Sequence, residues 1–263
     1  MLRPRFIPCL LLQNGSLVKT VEFKYPKYIG DPINAVRIFN EKYADELMVF
    51  DIEASNSQKG LDWDLISKIA AECNMPLCYG GGIKTLHDAK KLISLGIEKL
   101  TIGSAAISNI ELIASIADEL GSQSISVVVD VKRCVKSESQ YKIYTNNGTK
   151  YQNICFERYL ELLDKSGTGE IIINSIDRDG LMTGYDLELM KTARQLIKCQ
   201  LTALGGAGCM QDLIDLFAEL GLVGAAAGSL FIYKGPYKAV LINYPDLLLK
   251  KQITNKFYKI RPE

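Results

Sequence analysis

The chain has 263 residues, 48% of them hydrophobic, enough for one large core or two modest domains. Lys plus Arg number 31 against 30 for Asp plus Glu, and the net charge of +1 leaves no electrostatic footprint for duplex nucleic acid or an anionic membrane surface. No apolar run approaches the roughly 20 residues that span a bilayer, and the short run in MLRPRFIPCLLLQNG, without a small-residue cleavage site, reads as a first core strand rather than a secretory signal.

In chain order, short β-branched runs predict strands at 6–11, 47–51, 77–79, 100–102, 125–130, 171–175, 201–204 and 224–227. Between them, helical periodicity predicts helices at 33–43, 61–71, 86–95, 110–120, 156–165, 186–197 and 210–220. The strands are apolar throughout rather than alternating, as in a parallel sheet covered by helices on both faces. Eight such units predict a single α/β domain over 1–263, a (β/α)₈ TIM barrel; an open doubly wound sheet is disfavoured because no GxGxxG follows the first strand. The seven cysteines form no CxxC pair, which predicts reduced thiols and a cytoplasmic protein. The only histidine, His87, falls on a predicted helix surface, so no metal site and no cofactor are expected.

The chain repeats itself. YGGGIKTLHDAKKLISLGIEKLTIGSAA (79–106) aligns with LGGAGCMQDLIDLFAELGLVGAAAGSLF (204–231), and DELMVFDI (45–52) with GEIIINSI (169–176), placing Glu46 opposite Glu170. The halves then divide at about 1–122 and 123–245, with a C-terminal extension at about 246–263. YKIYTNNGTKY (141–151) reads as an extra hairpin turning at Asn-Asn-Gly. In the first strands of the two halves, IPCLLLQNG and ISVVVDVKR, Leu11 falls opposite Asp130.

In such a barrel the active face lies at the strand C-termini. GGGI (80–83) and GGAG (205–208) sit between a strand and a helix, where glycine admits an anion close to the backbone and to unpaired helix N–H groups. IGSAA (102–106) and AAGSLF (226–231) add Gly103-Ser104 and Gly228-Ser229, so that each half offers one phosphate cradle. SIDRDG (175–180) would place Asp177, Asp179 and Gly180 on that same face, either as a loop and cap or as substrate contacts.

Taken together, IPCL, Lys19, DELMVFDI, GGGI, GSQSISVVVDVKR, GEIIINSIDRDG, GYD (184–186) and GGAG resemble the cyclase subunit of imidazole glycerol phosphate synthase, HisF, over about residues 1–245. The resemblance implies a barrel that receives ammonia from a HisH-type glutaminase docked beneath it. The ammonia is joined to a bisphosphorylated ribulosyl-aminoimidazole substrate, with two aspartates as general acid and base. One of these carries over to Asp130; the other falls on Leu11, which cannot transfer a proton. Gly82, Gly180, Gly206 and Ser229 fit the implied phosphate sites, Gly103-Ser104 stand where the family has Asn-Thr, and Leu204 replaces a polar residue. Lys19 is retained on what the family makes a mobile loop after strand 1, with Asp179 as a second substrate-loop residue. Arg5, Glu46, Lys99 and Glu170 match the implied ammonia gate at the strand N-termini, and Glu98 an acidic partner-docking position.

A retained gate beside a lost proton-transfer group favours an ammonia-delivering subunit that has given up cyclisation. Look-alikes with this first strand are associated with surface-polysaccharide gene clusters, which implies a nucleotide-sugar acceptor for lipopolysaccharide and a third, sugar-modifying amidotransferase as partner. The alternatives are a working cyclase that uses Asp130 with Asp179 or a water, and a non-catalytic activator of the glutaminase.

Overall fold

The structure, a computed structural model, describes residues 3–54, 60–134 and 140–260. Eight strands form the barrel: β1 (Arg5–Gln13), β2 (Leu47–Asp51), β3 (Leu77–Gly80), β4 (Lys99–Ile102), β5 (Ile125–Arg133), β6 (Glu170–Ser175), β7 (Gln200–Leu204) and β8 (Gly224–Ala227). Each pairs in parallel with the next. β8 pairs back onto β1 from Arg5↔Gly224 to Pro8↔Ala227, which closes the sheet and removes its edges. The fold is a (β/α)₈ TIM barrel.

The uniform apolarity of the strands follows from their two buried faces. On β1, Ile7, Cys9 and Leu11 point inward with Met48, Phe50, Cys78, Val128, Ile172, Leu204 and Ala226. The alternate residues Phe6, Leu10 and Leu12 face the helical layer. That layer comprises α1 (Pro32–Glu41), α2 (Trp63–Glu72), α3 (Leu86–Ser94), α4 (Ile110–Leu120), α5 (Phe156–Lys165), α6 (Leu187–Leu196) and α7 (Met210–Leu220). Its helices start where short polar side chains satisfy free N–H groups: Asp31 accepts from Asn34 N, Asn109 from Leu112 N, and Thr85 forms a capping box with Asp88. His87 is exposed on α3.

Two antiparallel hairpins rise from the upper rim. β5 overruns the barrel and pairs with Tyr141–Thr145, which pairs in turn with Lys150–Cys155 around the expected Asn-Asn-Gly turn. The other hairpin corrects the sequence reading. β1 turns at Asn14-Gly15, with φ of 50° and 72°, into a strand at Ser16–Val21, which turns again into Lys24–Gly30. Lys19 therefore lies in a paired strand and is buried, not carried on a loop. The reason is local: Asn-Gly suits a two-residue hairpin turn, and Leu17, Val18, Lys19 and Thr20 all bury their side chains on the body of the barrel.

The C-terminal extension forms α8 (Leu247–Ile260); residues 261–263 lie outside the described residues. Lys250 Nζ donates to Asp45 Oδ1 and to Tyr43 O, both at 2.9 Å. Tyr244 just before it donates to Phe6 O at 2.8 Å and accepts from Asp45 N at 3.0 Å. The extension is thereby tied to the foot of β1 and to the residue that precedes Glu46.

Candidate functional site: a charged ring, an apolar wall and a roofed mouth

At the strand N-termini, four charged side chains close into a ring. Arg5 donates to Glu46 at 2.5 Å and to Glu170 at 2.7 Å, and Lys99 to Glu46 at 3.1 Å and Glu170 at 2.6 Å. Two cations and two anions alternate, so each carboxylate oxygen has a cationic partner. This is the condition under which buried charge is tolerated. Burial would push the Glu170 carboxyl up, but Lys99 and Arg5 together outweigh it and hold it down at about 2. Burial opposes the charge on Arg5 and Lys99 as well, and Glu170 with Glu46 outweighs it, raising both. Thr202 joins the ring by donating to Glu170, a contact that the sequence reading missed. Glu98, adjacent to Lys99, is exposed at the same end.

Above the ring the interior is mostly apolar, with one hydroxyl and thiol cluster. Thr101 Oγ1 lies 2.7 Å from Ser126 Oγ and 2.9 Å from Cys78 Sγ. Burial raises the Cys78 thiol to about 12, so it stays protonated. Leu11, Phe50, Val128 and Leu204 then surround the upper end.

The mouth holds a cavity of about 1120 Å³, its opening included. Leu11 and Asp130 both line it, as the alignment of the two half-sequences implied. Asp130 Oδ1 accepts from Asn174 Nδ2 at 2.9 Å, because the register sets Asn174 directly beside Asp130. Burial pushes the Asp130 carboxyl up to about 7; the bond from Asn174 opposes this and the charge of Asp179 adds to it.

Asp179 accepts from Thr20 Oγ1 at 2.9 Å and, more weakly, from Phe23 N at 3.4 Å; burial raises its carboxyl too. Asp177, expected on the same face, turns away and accepts from Arg133 N at 2.6 Å. The two aspartates diverge because Ile176–Arg178 forms a single 3-10 turn between them. A third carboxylate in the cavity, Asp51 at the end of β2, escaped the sequence reading. Its Oδ1 accepts from Glu53 N and Ala54 N, and burial raises it. The signal was present in DELMVFDI, whose last aspartate sits at a strand C-terminus.

Lys19 reaches inward from the first hairpin and donates to Cys9 O at 3.1 Å. Desolvation lowers its pKa, with the charge of Asp179 opposing. A Cβ at Gly228 would lie 1.7 Å from Lys19 Nζ, so the glycine makes room for the ammonium. Gly206, at φ +108°, lets the loop pass where a side chain would meet Gly184 O at 2.2 Å. Gly103, Ser104, Gly180, Gly206, Gly228 and Ser229 all line the cavity. Gly82 lines an adjoining recess with Gly103 and Ser104.

The two hairpins meet over the opening. Asn147 Nδ2 at the second hairpin's tip donates to Ile52 O at 2.8 Å, and Asn146 N to Ser104 Oγ at 3.4 Å. Gly148 lies against Phe23 of the first hairpin. Among the described residues, no group of three or more His, Cys, Asp or Glu is arranged to hold a metal ion, and no helix is long and apolar enough to cross a membrane.

Residues 5–238 match the family described as "Histidine biosynthesis protein". The chain is 53% identical over 246 residues to a Leptospira interrogans protein provisionally named imidazole glycerol phosphate synthase subunit HisF, covering 94% of this chain and 96% of the relative. It is 47% identical over 247 residues to a Pseudomonas aeruginosa protein provisionally named as subunit hisF2, covering 94% and 98%. It is also 35% identical over 259 residues to the HisF subunit of Lactococcus lactis subsp. cremoris, covering 98% of each. The chain belongs to the histidine biosynthesis protein family. It is a HisF-like member, with the barrel and the whole of β1 to β8 inside the matched region. For this HisF-like chain, the ring at the foot and the cavity at the mouth are the two ends of one barrel interior.

Proposed function

We propose that the chain is the synthase-type subunit of a glutamine-dependent amidotransferase. It receives ammonia from a HisH-like glutaminase at the foot of the barrel and passes it to a phosphorylated acceptor at the mouth. The observation that carries this reading is the closed ring of Arg5, Glu46, Lys99 and Glu170 beneath an interior whose upper layer presents Leu11 opposite Asp130. A ring of paired charges excludes water and ions yet opens when one long side chain swings, and neutral ammonia can then pass. Cyclisation of the histidine-pathway substrate needs a proton donated and another removed, and a leucine does neither. The acceptor is a nucleotide sugar for lipopolysaccharide amidino-sugar synthesis, and a third, sugar-modifying amidotransferase completes the assembly. The Gly103-Ser104 and Gly228-Ser229 cradles hold the phosphates, and Glu98 contributes to glutaminase docking.

An ammonia-dependent cyclase assay with the ribulosyl-aminoimidazole substrate tests the reading. Turnover is expected to be about 10²–10⁴-fold below that of a two-aspartate cyclase, the cost of removing one proton-transfer group. Full turnover would overturn it. Asp51 supports one competing reading, a working cyclase, because it puts a further carboxylate into the cavity beside Asp130 and Asp179, with its Oδ2 accepting no hydrogen bond among the described residues. In that case Asp51→Asn abolishes the activity.

A further inference from the structure

Beside the mouth lies a second space, the recess that Gly82 lines with Gly103 and Ser104. It measures about 1240 Å³, its opening included, and lies between the loops after β3 and β4 and the inner face of the second hairpin. Recess and mouth are continuous, because Gly81, Thr101, Gly103, Ser104 and Asn146 line both. Two of these residues are glycines, so no side chain closes the passage at Gly81 or Gly103.

The two spaces differ in charge. Three carboxylates line the mouth, Asp51, Asp130 and Asp179, and Lys19, the one cation there among the described residues, is engaged by Cys9 O. The recess reverses this balance: Lys84 and Lys150 line it and, among the described residues, no carboxylate does. Neither lysine has an ion-pair partner among the described residues. Register sets their direction. Thr145 pairs with Lys150 and Tyr144 with Tyr151, so Lys150 shares the inner face with Thr145 and Gln152. The two tyrosine rings stand together on the outer face, 5.9 Å apart. Gln152 Nε2 donates to Thr145 Oγ1 at 2.7 Å, which orders the inner face. On the opposite wall, Lys84 follows GGGI, and its N–H donates to Asp88 Oδ2 at 3.2 Å, which fixes the backbone from which its side chain leaves. Asp88 also accepts from Thr85 N as part of the α3 cap. A polyanion is therefore repelled by the mouth and attracted by the recess.

We propose that the recess is a diphosphate subsite, which holds the nucleoside diphosphate end of the acceptor while the sugar end lies in the mouth. The cradle at Gly82, Gly103 and Ser104 takes the phosphate next to the sugar. Lys84 and Lys150 take the phosphate beyond it, and the nucleoside is carried outward along the hairpin. A phosphate monoester fills the cradle alone and leaves the two lysines without a counter-charge. This inference rests on the reading of the acceptor as a nucleotide sugar, and it names where the anionic half of that ligand lies.

Anion titrations of the full chain, with no ammonia present, test the subsite. At about pH 8, inorganic pyrophosphate is expected to bind about tenfold or more tightly than inorganic phosphate. Uridine diphosphate, its base directed outward, should compete with pyrophosphate for the same site. Lys84→Ala and Lys150→Ala should each weaken pyrophosphate about tenfold and leave phosphate within about twofold of the parent. Both lysines are exposed, so the variants should keep the parent's amide spectrum. In that spectrum the Gly82 and Gly103 signals should move with pyrophosphate, and those of Gly206 and Gly228 should not. Equal affinity for phosphate and pyrophosphate overturns the proposal, as does parental pyrophosphate binding in both lysine variants. It also fails if uridine diphosphate does not compete, or if only Gly206 and Gly228 respond. The conduit reading fails separately: it falls if Arg5→Ala leaves glutamine-derived transfer unchanged, whichever anion binds.

Discussion

Leu11 and Asp130 occupy matching places at the ends of β1 and β5, and they differ in what they can do with a proton. Leu11 belongs to the apolar upper layer with Phe50, Val128 and Leu204, whereas Asp130 is hydrogen-bonded to Asn174 and titrates at about 7. Leu11→Asp would face Asp130 across the cavity and supply the missing carboxylate. The expected outcome is a rise in ammonia-dependent cyclase turnover of about 10²-fold or more, measured with the ribulosyl-aminoimidazole substrate. A variant that folds and remains as slow as its parent would show that position 11 is not what limits cyclisation. The contrast at these two positions was legible in the sequence because a β-strand repeat fixes register, and register fixes which residues oppose one another. Asn174 was not legible. An asparagine in INSI reads as a strand end, and only the pairing with Asp130 and the orphaned Oδ1 reveal its position.

Elements place these residues through two kinds of geometry, and the sequence exposes them unequally. The barrel strands and helices carry long, one-sided or two-sided apolar patterns; the helices at Ile110–Leu120, Phe156–Lys165 and Met210–Leu220 fall where periodicity puts them. The first hairpin was missed because its second strand, Lys24–Gly30, is mostly exposed, contains a proline and carries no alternation. The Asn14-Gly15 turn followed by SLVKTV was the available signal. The foot ring lies between these cases: its four charges were visible at strand starts, but Thr202 entered only through packing. Arg5→Ala removes one cation from both carboxylates and leaves Glu170 with Lys99 alone. The expected cost is about 3–5 kcal/mol, read by urea denaturation, with leakage of glutamine-derived ammonia in the assembled enzyme. Wild-type stability in this variant would mean that the ring is solvated rather than closed. α8 is held by a similar device, Lys250 on Asp45 and Tyr43 O. Lys250→Met keeps the apolar stem but leaves Asp45 with Arg3 as its cationic partner. About 3 kcal/mol should be lost, with amide exchange accelerated first in α8.

Across the whole molecule, the buried Glu170 and the half-buried aspartates of the mouth make stability depend on pH in two opposite senses. Glu170 is held at about 2 against an ordinary 4.5, so its contribution is full above 4.5 and is lost as pH falls toward 2. Asp130 runs the other way. Its carboxyl ionises near 3.8 in the unfolded chain and at about 7 in the native one. Between those values the native state binds more protons than the unfolded state, so stability falls as pH rises. Burial raises Asp51 and Asp179 as well, in the same sense. Stability should therefore peak near pH 4, where the gain from Glu170 and the loss from Asp130 balance, and decline by about 2–4 kcal/mol by pH 7. Urea midpoints measured from pH 3 to pH 8 give the curve, and Asp130→Asn assigns it. The amide cannot ionise, so this variant should flatten the decline between pH 5 and pH 7 while leaving the acid-side loss from the foot ring intact. A curve that peaks at neutrality, or one that Asp130→Asn leaves unchanged, would mean that water in the mouth solvates the half-buried Asp130 well enough to hold its carboxyl at an ordinary value. The mouth would then be wet down to the layer of Leu11 and Phe50.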